Sequence, residues 1–322
     1  ALYIILFPQL IAGPIVRYSE IKDQLQNRIA NENIDNRLNG FFRFSIGLAK
    51  KMLIANQMSI LADTIFNIPA GILTMGQAWL GSLAYAFQIY FDFSGYSDMA
   101  IGLGLMMGFR FPENFNAPYI SQSISEFWRR WHITLSNWMR DYLYIPLGGN
   151  RVSKSRLYIN LSVVFLISGF WHGAAWTFIF WGGFHGLFLI LDRLFLLDFL
   201  KKIGKVPAVI LTYLIVLIGW VFFRSETVGE VFQYCWKMFA FDFSSPGIFI
   251  PNKFYVYLLL GFLIAFSGII GRVEKTAQEW YENVQINTLF LIGKSTVSVV
   301  LFWWCLIEIF GSEFNPFIYF KF

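Results

Sequence analysis

Charge is scarce in this chain. Asp, Glu, Lys and Arg supply 14% of its 322 residues, against about 25% in ordinary globular domains. Apolar residues make up 57%, and so little charge would not keep that much apolar surface dispersed in water. Cysteine is nearly missing, with only Cys235 and Cys305, both inside apolar stretches. That excludes a secreted disulfide scaffold, and without CxxC or HExxH spacing no metal site is expected. No repeat of 20–50 residues and no low-complexity tract occurs, which excludes solenoids, collagen, coiled coil and disorder. What the chain has instead is aromatic bulk: 37 Phe, 15 Tyr and 12 Trp. Its solvent is lipid, and the expected fold class is all-α and multi-pass transmembrane.

The chain opens inside an apolar run, Ala1 to Leu6, with no basic segment before it. Read from the sequence, this run is not expected to be a signal peptide. It reads as the tail of a membrane helix that starts upstream, so residues 1–322 are expected to be a single membrane domain lacking N-terminal transmembrane helices. Further apolar runs are Ala78–Phe91, Met99–Phe109, Leu157–Trp171, Ala174–Leu191, Val206–Phe223, Phe254–Ile270 and Ser295–Phe310. Several fall short of the roughly 20 residues a spanning helix needs. Short runs imply broken or re-entrant helices, or a locally thin membrane. Arg37–Phe66 also reads as helical, but Arg43, Lys50 and Lys51 make it partly interfacial and partly buried.

The net charge is +5 and the pI about 9.1. In an apolar chain this surplus points to loops on one side of a bilayer, not to nucleic acid. The basic residues gather in three regions. Arg17, Lys22, Arg28, Arg37, Arg43, Lys50 and Lys51 form the first; Arg110, Arg129, Arg130, Arg140, Arg151, Lys154 and Arg156 the second; Arg193, Lys201, Lys202 and Lys205 the third. The positive-inside rule puts all three on the cytoplasmic side. Residues 224–253 and the C-terminus then lie outside.

Polar islands interrupt the apolar chain. Over Ser123–Tyr142, Ile124, Trp128, Trp131, Leu135, Trp138 and Tyr142 recur at spacings of 4, 3, 4, 3 and 4, one apolar stripe of an amphipathic helix. Ser125, Arg129, His132, Ser136 and Arg140 form a polar stripe beside it. Two readings stay open: an interfacial helix with Trp anchors and snorkelling Arg, or a re-entrant helix that turns His132 toward a polar cavity. His172 sits at the junction of two apolar helices, among small residues and large rings. It is either a helix-end histidine bonded to a carbonyl or a general base, since imidazole titrates near neutrality and ionisable groups at membrane depth are costly. His185 is flanked by Gly182, Gly183 and Gly186, which favour close helix packing, and Asp192 shares its face. Asp92 and Asp98 bracket Phe93-Ser94-Gly95-Tyr96-Ser97, read as a turn or helix break. In the loop Tyr144-Ile145-Pro146-Leu147-Gly148-Gly149-Asn150-Arg151, the two glycines permit a positive-φ path.

Taken in order, several islands resemble one family. They are Phe7–Ile15 (beginning Phe7-Pro8-Gln9-Leu10), Phe91–Gly102 (with Asp92-Phe93-Ser94-Gly95-Tyr96-Ser97-Asp98), Phe111–Tyr119 (Phe111-Pro112-Glu113-Asn114-Phe115-Asn116-Ala117-Pro118-Tyr119), and Glu126-Phe127-Trp128-Arg129-Arg130-Trp131-His132. The Tyr144–Arg151 loop, Phe170-Trp171-His172-Gly173-Ala174 and the end Asn315–Phe322 follow. The sequence resembles the bacterial membrane-bound O-acyltransferases (MBOAT), and within them the alginate O-acetyltransferase branch. Members that modify D-alanyl carriers share the Trp-His pair but usually lack the Tyr144–Arg151 type of loop. Two departures stand out: the family has further helices before Ala1, and Lys321 stands where Gln is expected.

The resemblance implies a multi-helix MBOAT fold, with re-entrant and interfacial helices around a central channel in a thinned membrane. It implies that His172 is catalytic and that His132 faces it. Trp128, Arg129, Trp131, Asn137, Trp171, His185 and Asp92 are the candidates for lining the channel or supporting the histidines. It implies no bound cofactor, and acetyl-CoA or another acetyl thioester as donor substrate. The partners implied are the lipid bilayer, a periplasmic acetyltransferase and a polysaccharide-synthesis complex, in a bacterial inner membrane. The competing reading is an acyl-group conduit or transporter, against which stand the missing inverted repeat and the few acids at membrane depth.

Overall fold

The computed structural model describes residues 2–10, 13–242, 250–271, 288–311 and 317. Among them there are helices and connecting turns but no strand. In chain order the helices are α1 (Leu2–Ile5), α2 (Tyr18–Gln26), α3 (Ile34–Ala49), α4 (Asn56–Phe66), α5 (Met75–Met106), α6 (Ile124–Arg130), α7 (Ile133–Met139), α8 (Lys154–His172), α9 (Trp176–Leu191), α10 (Leu197–Ile203), α11 (Lys205–Arg224), α12 (Val228–Met238), α13 (Asn252–Phe266) and α14 (Thr288–Gly311). Caps set several starts. The side chains of Asn33, Ser123 and Ser153 accept from the backbone N–H three residues on, and Thr227 with Glu230 forms a capping box. Among the described residues, three helices are long and apolar enough to cross a membrane: Lys205–Arg224, Asn252–Ile269 and Phe290–Gly311. The end motif Asn315–Phe322 lies outside the described residues except for Phe317, and so do residues 243–249 within 224–253.

The chain divides into two compact units. The first comprises Ala1–Gln57, Gln88–Asn116 and Phe266–Lys321. Here α5 corrects the sequence reading. Asp92 and Asp98 do not bracket a break: they lie inside one 32-residue helix that merges two apolar runs, about 48 Å long at 1.5 Å per residue. The Gly95 that suggested a turn instead lets two backbones approach. A Cβ there, or on Gly47 of α3 opposite, would overlap the facing carbonyl oxygen. The acids meet cations of α3 and of the π-helical turn Lys50–Ala55 that follows it. Lys51 pairs with Asp92, Lys50 Nζ lies 2.6 Å from Asp98 Oδ2, and Arg43 bridges Asp98 and Glu113. Lys294 of α14 donates to Asn39 Oδ1 at 2.6 Å and sits over the Phe42 ring.

The second unit comprises Met58–Phe87 and Ala117–Ala265. Its frame is the α8–α9 hairpin with α11 packed on α9. A Cβ on Gly182 of α9 would overlap the Phe165 carbonyl of α8, so the pair packs backbone to backbone. The N-terminal part of α5 is tied to α12: Tyr234 donates its hydroxyl proton to the Ala78 carbonyl and Trp79 donates to the Met238 carbonyl. Cys235 and Cys305 are free thiols.

Candidate active site

The predicted continuous amphipathic helix is in fact two. After Arg130 the backbone of Trp131 becomes extended, and His132 adopts a left-handed conformation (φ 43°, ψ 55°) as the N-cap of α7. A non-glycine residue held there carries strain that surrounding structure must over-determine. Packing supplies the reason. A continuous helix would carry Trp131 and His132 to faces about 100° apart, whereas the break buries both, at 4% and 6% exposure. Beyond it the predicted stripe holds at Leu135 and then lapses: Met139 is buried instead, Trp138 is half-buried and Tyr142 exposed. His132, expected on a polar face, is enclosed.

His172 is the last residue of α8 and keeps partial exposure. Its ring packs edge-on against Trp181 of α9 (5.1 Å, 88°) and Phe223 of α11 (5.3 Å, 71°). Trp220 joins these rings, 6.3 Å from Trp181 and 5.7 Å from Phe223, and meets Trp131 at 4.8 Å. Helices α9 and α11 and the α6–α7 break thus build one aromatic cage around His172, and His132 lies close enough to interact with it electrostatically. Burial holds His132 well below the ordinary imidazole range, and the nearby His172 pushes it the same way. His132 therefore stays neutral at physiological pH, a donor at one nitrogen and an acceptor at the other.

His185 lies deeper and is fully buried, 5.1 Å from the Trp128 ring and 5.3 Å from Trp181. A side chain at Gly219 would meet its Nε2 at 2.7 Å, so a glycine is needed there for α11 to approach. Neither His185 nitrogen has a hydrogen-bond partner among the described residues, and the same holds for the indole N–H groups of Trp128, Trp181 and Trp220. Buried polar atoms are nearly always satisfied. A cluster left open around the reactive position therefore calls for water or substrate atoms.

A cleft of about 250 Å³ adjoins the cage. Trp128, Leu135, Met139, Leu161 and Val164 form its buried floor, and Arg129, Arg140 and Arg193 line its exposed side. Ser168 is part of the lining and stands one helical turn, about 6 Å, before His172.

Of the candidate residues, the second unit gathers His132, His172, His185, Trp128, Arg129 and Trp131 at the cage and cleft. Trp171 points elsewhere: it is 60% exposed and packs on Trp138 at 6.1 Å. Asn137 is half-buried on α7, with its carbonyl accepting from the Arg140 N–H. Asp92 belongs to the first unit, where Lys51 is its partner. Trp220, Phe223 and Arg193 were not read from the sequence as site residues. The first two carried a signal, since Trp220, Phe222 and Phe223 cluster in the last turns of the helix.

Comparisons with known proteins point one way. Residues 1–225 match the sequence profile described as MBOAT, membrane-bound O-acyltransferase family. A probable alginate O-acetylase AlgI of Azotobacter vinelandii is 50% identical over 244 residues, which cover 76% of this chain and 47% of that protein. A peptidoglycan O-acetyltransferase of Helicobacter pylori is 48% identical over 72% of this chain and 45% of its own length. A teichoic acid D-alanyltransferase of Bacillus subtilis is 32% identical over 70% of this chain and 60% of its own length. The chain spans about half the length of the first two.

Proposed function

The chain belongs to the membrane-bound O-acyltransferase family, and on that premise we propose that it moves an acetyl group from a thioester donor on the cytoplasmic side toward hydroxyls of an extracytoplasmic polysaccharide. The donor in this reading is acetyl-CoA or a related acetyl thioester, an alginate-like polymer is the acceptor class, and a periplasmic transferase completes delivery. The chain is a multi-pass protein of a bacterial inner membrane. The single observation that carries the reading is the cage that couples His132 and His172, with unsatisfied N–H groups beside it.

In the proposed mechanism His172, as neutral imidazole, takes the proton of the acceptor hydroxyl while the oxygen attacks the thioester carbonyl. A C–O bond forms and the carbonyl electrons move onto oxygen, where the His132 N–H or an indole N–H stabilises the oxyanion. The intermediate then collapses with cleavage of the C–S bond, and the imidazolium returns its proton to the thiolate. No other residue needs to change charge. His172 has the partial exposure a base needs to reach its substrate, and His132 has the burial that keeps a donor neutral and fixed.

The test is transfer of radiolabelled acetyl from acetyl-CoA to a hydroxyl acceptor by purified protein. His172→Ala is expected to lose about 10²- to 10⁴-fold in rate with an unchanged melting temperature. Normal transfer by a well-folded His172→Ala would remove the catalytic assignment. Vesicle uptake of unreacted thioester, with no acetylated product, would favour the conduit instead.

A further inference from the structure

A separate pocket of the second unit is used by none of the chemistry above. It holds about 330 Å³ between the end of α4, the turn that follows it, and the α11–α12 junction. Its floor is fixed. Tyr234 of α12 stacks on Phe66 of α4 at 4.3 Å, and its hydroxyl is tied to the Ala78 carbonyl. Arg224, the last residue of α11, lies over the same Phe66 ring and donates from one Nη to Asp63 Oδ1 at 2.7 Å. Its remaining N–H groups make no bond among the described residues. Asn67, Gln233 and Glu226 line the pocket with side chains that make no hydrogen bond or ion pair among the described residues. Glu230 lines it too, and its Oε2 accepts from the Glu226 and Thr227 N–H groups. The α12 N-terminus is thus already capped, while Glu230 Oε1 stays open.

The charges decide the kind of ligand. Asp63 neutralises Arg224 in part, and two carboxylates share the pocket, so a simple anion meets net negative charge. A simple cation leaves the open guanidinium donors unused. A zwitterion satisfies both sets: a phosphate takes the Arg224 donors, and a primary ammonium donates to the carboxylates. The surroundings decide its source. Helix α11 is long and apolar enough to cross a membrane and ends at Arg224, which sets the pocket at headgroup depth. Beside it, α12 buries Val231, Tyr234 and Met238 and leaves Phe232, Trp236 and Phe239 exposed at spacings of 4 and 3. That is the aromatic face of a helix lying in the membrane interface. With residues 224–253 outside, the interface is that of the outer leaflet. We propose that this pocket binds the headgroup of a phosphatidylethanolamine-type lipid, with its phosphate on Arg224 and its ammonium on Glu226 and Glu230. Phe223, the residue before Arg224, packs on His172, so the bound lipid steadies the end of α11 that closes the cage. The inference needs only the membrane placement of the chain, not the acyl-transfer reading.

The test is native mass spectrometry of the purified full chain in detergent, titrated with phosphatidylethanolamine, phosphatidylcholine and phosphatidylglycerol. The wild type is expected to hold phosphatidylethanolamine about tenfold more tightly than phosphatidylcholine, whose trimethylated nitrogen has no N–H to donate. The same preference is expected over phosphatidylglycerol, which has no cation. Glu226→Gln/Glu230→Gln keeps the α12 cap, since Gln also serves at that position, and is expected to abolish both preferences. Phosphatidylethanolamine is also expected to raise the melting temperature of the wild type and not of this variant. Equal retention of the three lipids by the wild type overturns the inference, as does a preference unchanged in the double variant. Preferred phosphatidylglycerol overturns it in favour of an anion site on Arg224. Binding of an alginate oligosaccharide that the double variant loses, with no discrimination among the lipids, overturns it in favour of a polymer site.

Discussion

Both units of this protein bury ionisable groups, but they treat them differently. In the first, buried charge comes with opposite charge: Lys51 with Asp92, Lys50 with Asp98, and Arg43 between Asp98 and Glu113. In the second, His185 and the indole N–H groups of Trp128, Trp181 and Trp220 have no hydrogen-bond partner among the described residues. The lesson is that an ionisable residue at depth does not by itself mark a site. A closed pairing holds helices in register, whereas an open set of donors around a partly exposed base leaves room for reacting atoms.

The largest way to break this contrast is in the first unit. Lys51→Met removes the cation paired with the buried Asp92 carboxylate, and is expected to cost about 3–5 kcal/mol of stability, read as a drop in melting temperature. Lys51→Met/Asp92→Leu should recover most of it, and a double variant as unstable as the single one would mean that the pair does more than hold the fold. Next comes the cage. Trp181→Phe keeps a ring against His172 and His185 but removes the N–H, with an expected stability loss under about 1.5 kcal/mol. Trp181→Ala is expected to lose about 3–5 kcal/mol. A denaturation series on the two variants separates packing from the N–H.

Smaller effects sharpen the picture at the α6–α7 break. His132 occupies a backbone conformation that costs an ordinary side chain about 1–2 kcal/mol. His132→Gly should therefore melt higher than His132→Ala, and equal melting would mean that the left-handed turn is not retained. Ser123→Ala removes the α6 cap, for about 1 kcal/mol. The smallest effect is the response to pH. Because the folded state lowers the His132 pKa from 6.5, the unfolded chain binds the proton more readily. Stability attributable to this group is complete above about pH 6.5 and declines as pH falls below it. Melting curves between pH 5 and 7.5 should show a shallower acid decline for His132→Asn.

Much of this was legible in the sequence, for physical reasons. Hydrophobic runs found α8, α9, α11 and α13 to within a few residues and all but the first two turns of α14, because an apolar surrounding leaves a helix little compositional freedom. Gly148 and Gly149 do take positive φ (105° and 53°), as their pairing suggested. The misses have a common source. Gly95 was read locally as a turn, when its role is a tertiary one against Gly47. The 4-3-4-3-4 stripe was read as one helix, when the burial of Trp131 and His132 together overrides the local period. Trp220 and Phe223 join the cage from a helix distant in sequence, and Arg193 reaches the cleft from a turn, so neither had a local motif to announce it.

The most direct measurement is the acetyl-transfer rate per folded molecule, taken side by side for His172→Ala and Lys51→Met/Asp92→Leu. The expected result is a fall of about 10²- to 10⁴-fold for His172→Ala with wild-type melting, and a rate close to wild type for the folded fraction of the charge-pair variant. The opposite pattern, a His172→Ala protein that transfers normally and a charge-pair variant that folds but is inactive, would contradict the assignment of chemistry to the aromatic cage.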